Sequence, residues 1–331
     1  MAFRDVLGHT LPILLLQNAI QADRVVHSYL FTGNEGVGKK WVALQFAKAL
    51  NCLQRSAPLG EACDQCLSCR KIDGGLHPDV LVIEPEHQAV KVDQVREMQR
   101  MLAYRPYEGY RRVCILDGAD RMAPFMSNAL LKTLEETPLH TVIILIATHS
   151  RLLPPTILSR CQSIRFHPLP ISLVSQWLVD RKEVQDAEAH LLASLSEGSL
   201  GKALALQEEL QRIPRKDLLT EWVGRRTFSF QEMETWAHLL PSDRESLVSL
   251  LEMAKTLLRD LVVLNTTGSA FTLMHSDLQR DLVSTGRNWT LPALLKRIDA
   301  LHRTLQAISP IRGNANTQLA LEAMMLSWAE G

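Results

Sequence analysis

The sequence lacks a surplus of charge of either sign. Among its 331 residues, Lys and Arg together number 36, and Asp and Glu together also number 36. A protein that wraps nucleic acid unaided needs a basic excess to neutralise the phosphates. The balance therefore argues against that class, although a basic face could be offset by an acidic one.

Long apolar runs are also missing. Beyond the N-terminal region the longest is VIILIA at 142–147, which is far shorter than the about 20 residues that a membrane-spanning helix needs. The first 20 residues carry acid, His and Pro around a few apolar residues, unlike a signal peptide. We therefore expect a soluble, cytoplasmic protein of two or three domains with no membrane partner.

The first half of the chain alternates strand and helix signals. The strand-like runs are SYLFTG, DVLVIEP, RRVCILDGAD and TVIILIATH. Because the apolar residues are continuous rather than alternating, these strands are predicted to form a parallel sheet with helices on both faces. After about residue 167 the strand signals stop and helical patterns continue, so the fold class is α/β followed by all-α regions.

The stretch GNEGVGKKW joins the first strand to a helix and follows the pattern of a phosphate-binding loop. Gly33, Gly36 and Gly38 would let backbone N–H groups cradle phosphates, and Lys39 would reach the β and γ oxygens. A working loop continues with Ser or Thr as a magnesium ligand, but here the next residue is Lys40, which offers only donors. A chance glycine-rich turn is the alternative, and the flanking strand and helix disfavour it.

The third strand is expected to carry the acidic pair that holds metal and orients water. Asp117 stands at its end, but the next position, where a water-activating Glu would sit, is Gly118. Asp120 lies further on, at the start of a predicted helix. The sequence therefore offers no base within hydrogen-bond reach of an attacking water, so hydrolysis by this chain itself is not expected.

Four of the six cysteines are close together in the sequence. Cys63, Cys66 and Cys69 form C-x2-C-x2-C, and Cys52 precedes them. Four thiolates suit one closed, tetrahedral structural zinc. A redox pair, free thiols and a 4Fe–4S cluster are the alternatives, and the missing fourth ligand downstream weakens the last of these.

Taken together, the motifs resemble the clamp-loader subunits of bacterial DNA polymerase III. The resemblance rests on the degenerate phosphate loop, the four-Cys insertion, HPDV, NALLKTLEETP and PPTILSRCQSIRF, in that order over roughly the first 170 residues. It implies an AAA+ domain over 1–167 with a zinc module at 52–69, a helical lid over 168–212 and a helical collar over 213–331. The implied partners are the tau/gamma and delta subunits in a five-subunit ring, the sliding clamp and primed DNA.

In that family the SRC motif presents an arginine finger to nucleotide bound by the neighbouring subunit, and Ser159 and Arg160 match it unchanged. The resemblance thus implies that Arg160 stabilises charge on a neighbour's phosphoryl group. A solvated loop cation is the simpler alternative.

The departures from the family pattern point to its non-hydrolysing member. Lys40, Gly118 and Gly201 stand where the hydrolytic subunits usually have Ser or Thr, Glu and a lid Arg. Binding of ATP or ADP is therefore expected to be weak or absent. An active tau/gamma-like motor and a zinc-dependent nucleic-acid-binding module are the other hypotheses.

Overall fold

A computed structural model describes residues 2–54, 60–85, 90, 92–122, 124–210, 213–225, 240–241, 243–268, 273–308 and 316–329. The chain divides into two compact units. The first contains residues 1–174 and 197–202, and the second contains 175–196 and 203–331. The predicted boundary at 212/213 adjoins residues outside the described ranges, and the three-part division of the chain stays a prediction.

The first unit is built on a parallel sheet. The described residues form five strands in the order β2-β3-β4-β1-β5. The strands are β1 Ser28–Thr32, β2 Val80–Ile83, β3 Arg112–Leu116, β4 Thr141–Ala147 and β5 Gln162–Arg165. Ser28 pairs with Ile143 and Tyr29 with Gln162, so β1 lies between β4 and β5. Because the strands are parallel, all their carboxyl ends lie on the same side of the sheet, which we call the carboxyl edge, and all their amino ends lie on the opposite side, the amino edge.

The four strands predicted from the sequence are present, but β5 was missed. It has four residues and lies at the edge of the sheet, and only Ile164 of its side chains is buried. A short edge strand that is exposed on most positions carries no continuous apolar run, which was the signal used for the other four.

The three central strands, β1, β3 and β4, are buried on both faces, as the continuous apolar runs predict. One core contains Tyr29, Phe31 and Phe166 together with helix residues such as Phe46. The opposite core contains Leu30 and Cys114 together with residues of the following helices. Alternate residues of a strand therefore enter different cores, and both environments are apolar.

Helices complete the described structure. They are α1 Thr10–Gln21, α2 Lys39–Asn51, α3 Leu67–Asp73, α4 Val92–Leu102, α5 Pro124–Glu135, α6 Pro155–Leu158, α7 Ile171–Lys182, α8 Asp186–Leu195, α9 Leu200–Leu210, α10 Arg215–Asp217, α11 Arg244–Thr267, α12 Gln279–Gly286, α13 Leu291–Ile308 and α14 Thr317–Ala329. Leu218–Val223 continues α10 as a π-helical turn. None of the described helices combines the length and apolar character needed to cross a bilayer.

The second unit buries a cation between aromatic rings. The guanidinium carbon of Arg297 lies 4.3 Å from the ring centroid of Trp289 and 4.8 Å from that of Trp328. Arg297 also donates to the carbonyl oxygen of Val223 at 3.1 Å. Cation–π attraction and backbone acceptors thus offset the cost of removing this charge from water.

Candidate functional site

The predicted phosphate loop lies between β1 and α2, at the carboxyl ends of the strands. Because parallel strands end at one edge, the loop meets the residues that follow β2, β3 and β4. Together they line a cleft of about 440 Å³. Its lining includes Glu35, Gly36, Gly38, Lys39, Lys40, Glu84, Pro85, Asp117, Gly118, Asp120, Arg121 and Thr148.

The glycines of the loop adopt conformations that suit residues without a Cβ. Gly33, Gly36 and Gly38 have φ angles of 148°, 74° and 107°. Lys39 is 6% exposed, and its Nζ donates to the carbonyl oxygens of Gly33 at 2.6 Å and Asn34 at 2.7 Å. Burial lowers the pKa of Lys39, which the nearby carboxylates partly oppose. The loop has the expected backbone form, with its lysine folded onto the loop's own carbonyls.

Lys40 is paired with a carboxylate at the end of β2. Its Nζ donates to Oε1 of Glu84, and both side chains are partly exposed. An ammonium has no lone pair to give to a metal ion, and here its charge is already offset. The position after Lys39 therefore supplies neither a magnesium ligand nor a free cation.

Asp117 follows β3 at the edge of the same cleft. Burial raises the pKa of its carboxyl group, while the charges of Lys40 and Lys39 act in the opposite direction. Gly118 has a φ angle of 69°, and a Cβ built on it would lie 2.7 Å from Cγ of Pro85. A glutamate at this position would be both strained in its backbone and in collision with Pro85.

Asp120 lines the same cleft and is held by the end of β4. Its Oδ2 accepts from the Thr148 backbone N–H at 2.7 Å and also from the Thr148 hydroxyl. The other oxygen, Oδ1, is buried without a hydrogen-bond partner. Asp120 therefore ties the segment after β3 to the end of β4.

Residues 197–202 belong to the same unit as the phosphate loop and contact it directly. The Gly201 N–H donates to the Gly36 carbonyl at 2.9 Å, and the Ser199 hydroxyl donates to the Glu35 carbonyl at 2.8 Å. A Cβ on Gly201 would lie 3.0 Å from Cα of Gly36. The position predicted to have lost an arginine is therefore in backbone contact with the loop, and a side chain there would require the Gly36 backbone to shift.

The four cysteines come together as the sequence predicts. The Sγ atoms of Cys52, Cys63, Cys66 and Cys69 all lie within 4.8 Å of one another. A zinc ion bound tetrahedrally at about 2.3 Å from each sulfur would require sulfurs about 3.8 Å apart. Those of Cys63 and Cys69 are 4.0 Å apart. The four thiols thus match the donor set and spacing of a zinc site.

Backbone N–H groups point at several of these sulfurs. Cys66 precedes α3, and its Sγ accepts from the Cys69 N–H at 3.4 Å. The Cys63 Sγ accepts from the Cys66 N–H at 3.3 Å. Burial opposes ionisation of Cys66, but the N–H donors of Cys69 and Leu53 lower its pKa to about 6. Such donors favour the thiolate form, which is the form that binds metal.

The cysteine module is fastened to α2 by a buried lysine. Lys48 is fully buried, and its Nζ lies 2.8 Å from both carboxylate oxygens of Asp73 and also donates to Asp64. Burial alone would lower the pKa of Lys48, but these carboxylates raise it. The helix that begins at the phosphate loop therefore ends in an ion-pair network with the cysteine module.

The HPDV motif organises the loop before β3. Asp79 is fully buried and accepts from the N–H groups of Tyr107, Glu108 and Gly109 at 2.7–2.8 Å. Burial raises the pKa of Asp79, but these three donors together with Arg112 hold it below its usual value. The role of this motif in the chain is structural.

Arg160 lies at the opposite edge of the sheet from the phosphate loop. It precedes β5, and the Ser28 hydroxyl at the start of β1 donates to its carbonyl at 2.6 Å. β1 has five residues, so the two ends are about 15 Å apart at about 3.3 Å per residue. The Arg160 side chain is 36% exposed and lies beside Ser159. Arg160 therefore cannot reach a phosphate bound in its own loop.

Three residues of these sites were not singled out from the sequence. Glu84 pairs with Lys40, Thr148 binds Asp120, and Glu135 contacts Arg160. Each stands at the end of a strand or helix. For Glu84 and Thr148, the position directly after a predicted strand could have indicated that they lie at the cleft. The partner of each was visible only after the strands were placed side by side.

The fold and the loop define the class of protein. A phosphate loop between β1 and α2, in a parallel sheet of this strand order with helices following, is the AAA+ arrangement that the motifs implied. A sequence model for the family described as "DNA polymerase III, delta subunit" matches residues 8–170.

Individual relatives extend this match. The chain is 29% identical to DNA polymerase III subunit delta' of Bacillus subtilis over 324 residues, covering 96% of this chain and 95% of that protein. It is 35% identical to subunit tau of Bacillus subtilis over 212 residues, which span 62% of this chain and 37% of that protein. These matches confirm the resemblance to the clamp-loader subunits of DNA polymerase III, and the match that spans most of both chains is to a delta' subunit.

Among solved structures, a gamma subunit-related protein of Thermotoga maritima aligns over 96% of this chain and 98% of its own. The sequence identity is 19% and the TM-score is 0.42.

Proposed function

We propose that the chain acts as a non-hydrolysing delta' subunit of the DNA polymerase III clamp loader, in the cytoplasm. In this role it joins tau/gamma and delta subunits in a five-membered ring and helps to load the sliding clamp on primed DNA. Its own contribution to chemistry is Arg160, presented to ATP that the neighbouring subunit holds. A relative that matches across nearly the full chain supports the choice of subunit.

One observation carries this proposal: the two ends of the sheet differ in what they retain. At the carboxyl end Lys40 is paired with Glu84, and Gly118 has no space for a glutamate. At the amino end Arg160 is accessible and too far from its own loop to act there. This position supports a role for Arg160 at a second molecule.

Nucleotide binding by the chain itself is proposed to be weak or absent. Lys39 donates to two carbonyl oxygens of its own loop. A phosphate would have to compete for Lys39 without a magnesium ion held by its neighbour. Titration of the purified chain with ATP, with and without magnesium, tests this directly.

The cysteine module is proposed to hold one structural zinc. Four sulfurs within 4.8 Å form a closed donor set, which leaves no position for a catalytic water. Bound zinc would fix the loop that carries Asp64 against Lys48 of α2.

The central test uses the assembled loader. Arg160→Ala should lower ATP hydrolysis at the neighbouring site by about 10³-fold or more, since a trans arginine stabilises the transferred phosphoryl group. Arg165→Ala is the matched control, because Arg165 is an exposed arginine at the other end of β5. Assembly should be unchanged in both variants. Unchanged hydrolysis with Arg160→Ala would refute the trans role.

Two other hypotheses make different predictions. An active motor would turn over ATP as an isolated chain, and this turnover would survive Arg160→Ala. A zinc-dependent nucleic-acid-binding module would bind DNA alone with a steep salt dependence, although the zero net charge argues against it.

A further inference from the structure

The surface around Arg160 is a hollow of about 590 Å³ at the amino end of the sheet. Its ionisable lining comprises His27, Arg111, Glu135, His140, Arg160 and Cys161. In the described part of the chain, Glu135 is the one carboxylate among the residues that line this hollow. A hollow with two arginines and a single acid is suited to an anion, provided that the acid gives way.

Glu135 lies against the arginine rather than elsewhere in the hollow. It is the last residue of α5, and its Oε1 lies 2.5 Å from Nη2 of Arg160. The other terminal nitrogen, Nη1, donates to the Thr156 carbonyl at 2.9 Å and to the Ser159 hydroxyl at 3.3 Å. An incoming phosphate would therefore bind Nη2 of Arg160 in place of the Glu135 carboxylate.

The backbone that carries Arg160 is fixed while its side chain is accessible. The Ser28 hydroxyl binds the Arg160 carbonyl at 2.6 Å, which ties this residue to the start of β1. By contrast, the side chains of Glu135 and Arg160 are 51% and 36% exposed. Only the side-chain ion pair needs to change when an anion binds.

We propose that Glu135 is a latch that holds Arg160 until the neighbouring subunit's nucleotide phosphate displaces it. The proposal rests on the proposed trans role of Arg160 and adds a positioning residue to it. The carboxylate occupies the anion's place in the empty site, so the nucleotide must compete with it before Arg160 can act. Glu135 would thereby raise the ATP concentration at which the neighbouring site responds.

The size of the effect follows from the exposure of the pair. Ion pairs that are accessible to solvent contribute little, and removing the latch should change the apparent affinity by about two- to fivefold. The effect should also shrink as ionic strength rises, because salt screens charges that solvent reaches.

The test compares Glu135→Gln with Glu136→Gln in the assembled loader. Glu136 is the adjacent residue, is exposed, and does not line the hollow. Steady-state ATP hydrolysis is measured against ATP concentration at low and high salt. Glu135→Gln should lower the half-saturating ATP concentration by about two- to fivefold with kcat nearly unchanged, and Glu136→Gln should change neither.

A double variant separates this latch from a role in folding. When Arg160 is already Ala, Glu135→Gln should no longer shift the ATP concentration that half-saturates the neighbouring site, because there is no guanidinium to release. In this background the concentration is measured by ATP binding, since little hydrolysis remains at the site. Thermal unfolding of Glu135→Gln should match the native chain, since half of the side chain is exposed.

Two outcomes overturn the proposal in different ways. If Arg160→Ala lowers hydrolysis but Glu135→Gln leaves the half-saturating concentration unchanged or raises it, the latch fails and the trans role stands. If Arg160→Ala itself has no effect, the proposed function fails and the latch fails with it.

Discussion

The two edges of the parallel sheet differ in what they can still do. At the carboxyl edge the phosphate loop keeps its backbone form, yet Lys40 and Gly118 stand where the motif predicts a magnesium ligand and a water-activating acid. At the amino edge Arg160 and the cysteine module keep every residue that their proposed roles need. Helix α2 connects the two edges, beginning at Lys39 and ending at Asn51 beside Cys52.

The difference between the edges lies in packing as well as in residue identity. Gly118 has Pro85 against it, and Gly201 is in contact with Gly36. Restoring the missing side chains would therefore require the Pro85 ring and the Gly36 backbone to move. Arg160 and Glu135 instead have exposed side chains on a fixed backbone, so this edge can respond to a partner without refolding. At the carboxyl edge, close packing hinders the missing side chains, whereas at the amino edge Arg160 and Glu135 are accessible to a partner.

The largest expected effect concerns the cysteine module. Cys66→Ser should reduce bound zinc from about one per chain to none and lower stability by several kcal/mol, because structural zinc contributes folding free energy directly. Metal analysis and thermal unfolding measure both quantities. Cys161→Ser, outside the cluster, is the control and should keep its zinc. A native chain that contains no zinc after purification without chelator would contradict the proposed site.

The next effect compares two lysines at opposite ends of α2. Lys48→Met should destabilise the chain by about 3 kcal/mol, since it leaves Asp64 and Asp73 without their buried counter-charge. Lys40→Met should change stability by less than about 1 kcal/mol, because the pair with Glu84 is exposed. Denaturant unfolding provides both values. Equal losses would mean that the two edges are held with similar strength.

A smaller effect tests whether the general-base position is closed by packing. Gly118 and Gly75 have nearly the same φ angles, 69° and 68°, but a Cβ on Gly75 meets nothing within 4 Å. Alanine at either position should cost about 1 kcal/mol for the left-handed backbone. Gly118→Ala should cost about 1–3 kcal/mol more, because of Pro85. If both variants lose the same stability, Pro85 does not close the position.

The smallest effect is a gain in stability. Burial raises the pKa of Asp117, so its folded carboxyl group holds a proton to higher pH than the unfolded chain does. The contribution of Asp117 to stability therefore declines as the pH rises from the ordinary pKa of an aspartate through the raised pKa of the folded state. At neutral pH the contribution remains at this lower level. Asp117→Asn should remove that decline and stabilise the chain by up to about 1 kcal/mol at pH 7. Unfolding curves at pH 4 and pH 7 would show it.

Most of the site could be predicted because its residues are close in sequence or follow strong patterns. The glycine spacing located the loop, and the C-x2-C-x2-C spacing located three of the four clustered cysteines. Strand β5 was not predicted because its side chains are mostly exposed. The pairing of Glu84 with Lys40 and of Glu135 with Arg160 was not predicted, because ion pairs between distant segments leave no periodic signal in the sequence.

The sequence by itself determined which chemical groups this protein has and lacks. It has four clustered thiols and an SRC motif, and it has neither Ser nor Thr directly after Lys39 and no acid directly after Asp117. Those are properties of side chains and need no fold. Only the tertiary structure decided where each group stands. Parallel strands place the loop at one edge and Arg160 at the other, about 15 Å away, because β1 and β5 run in the same direction.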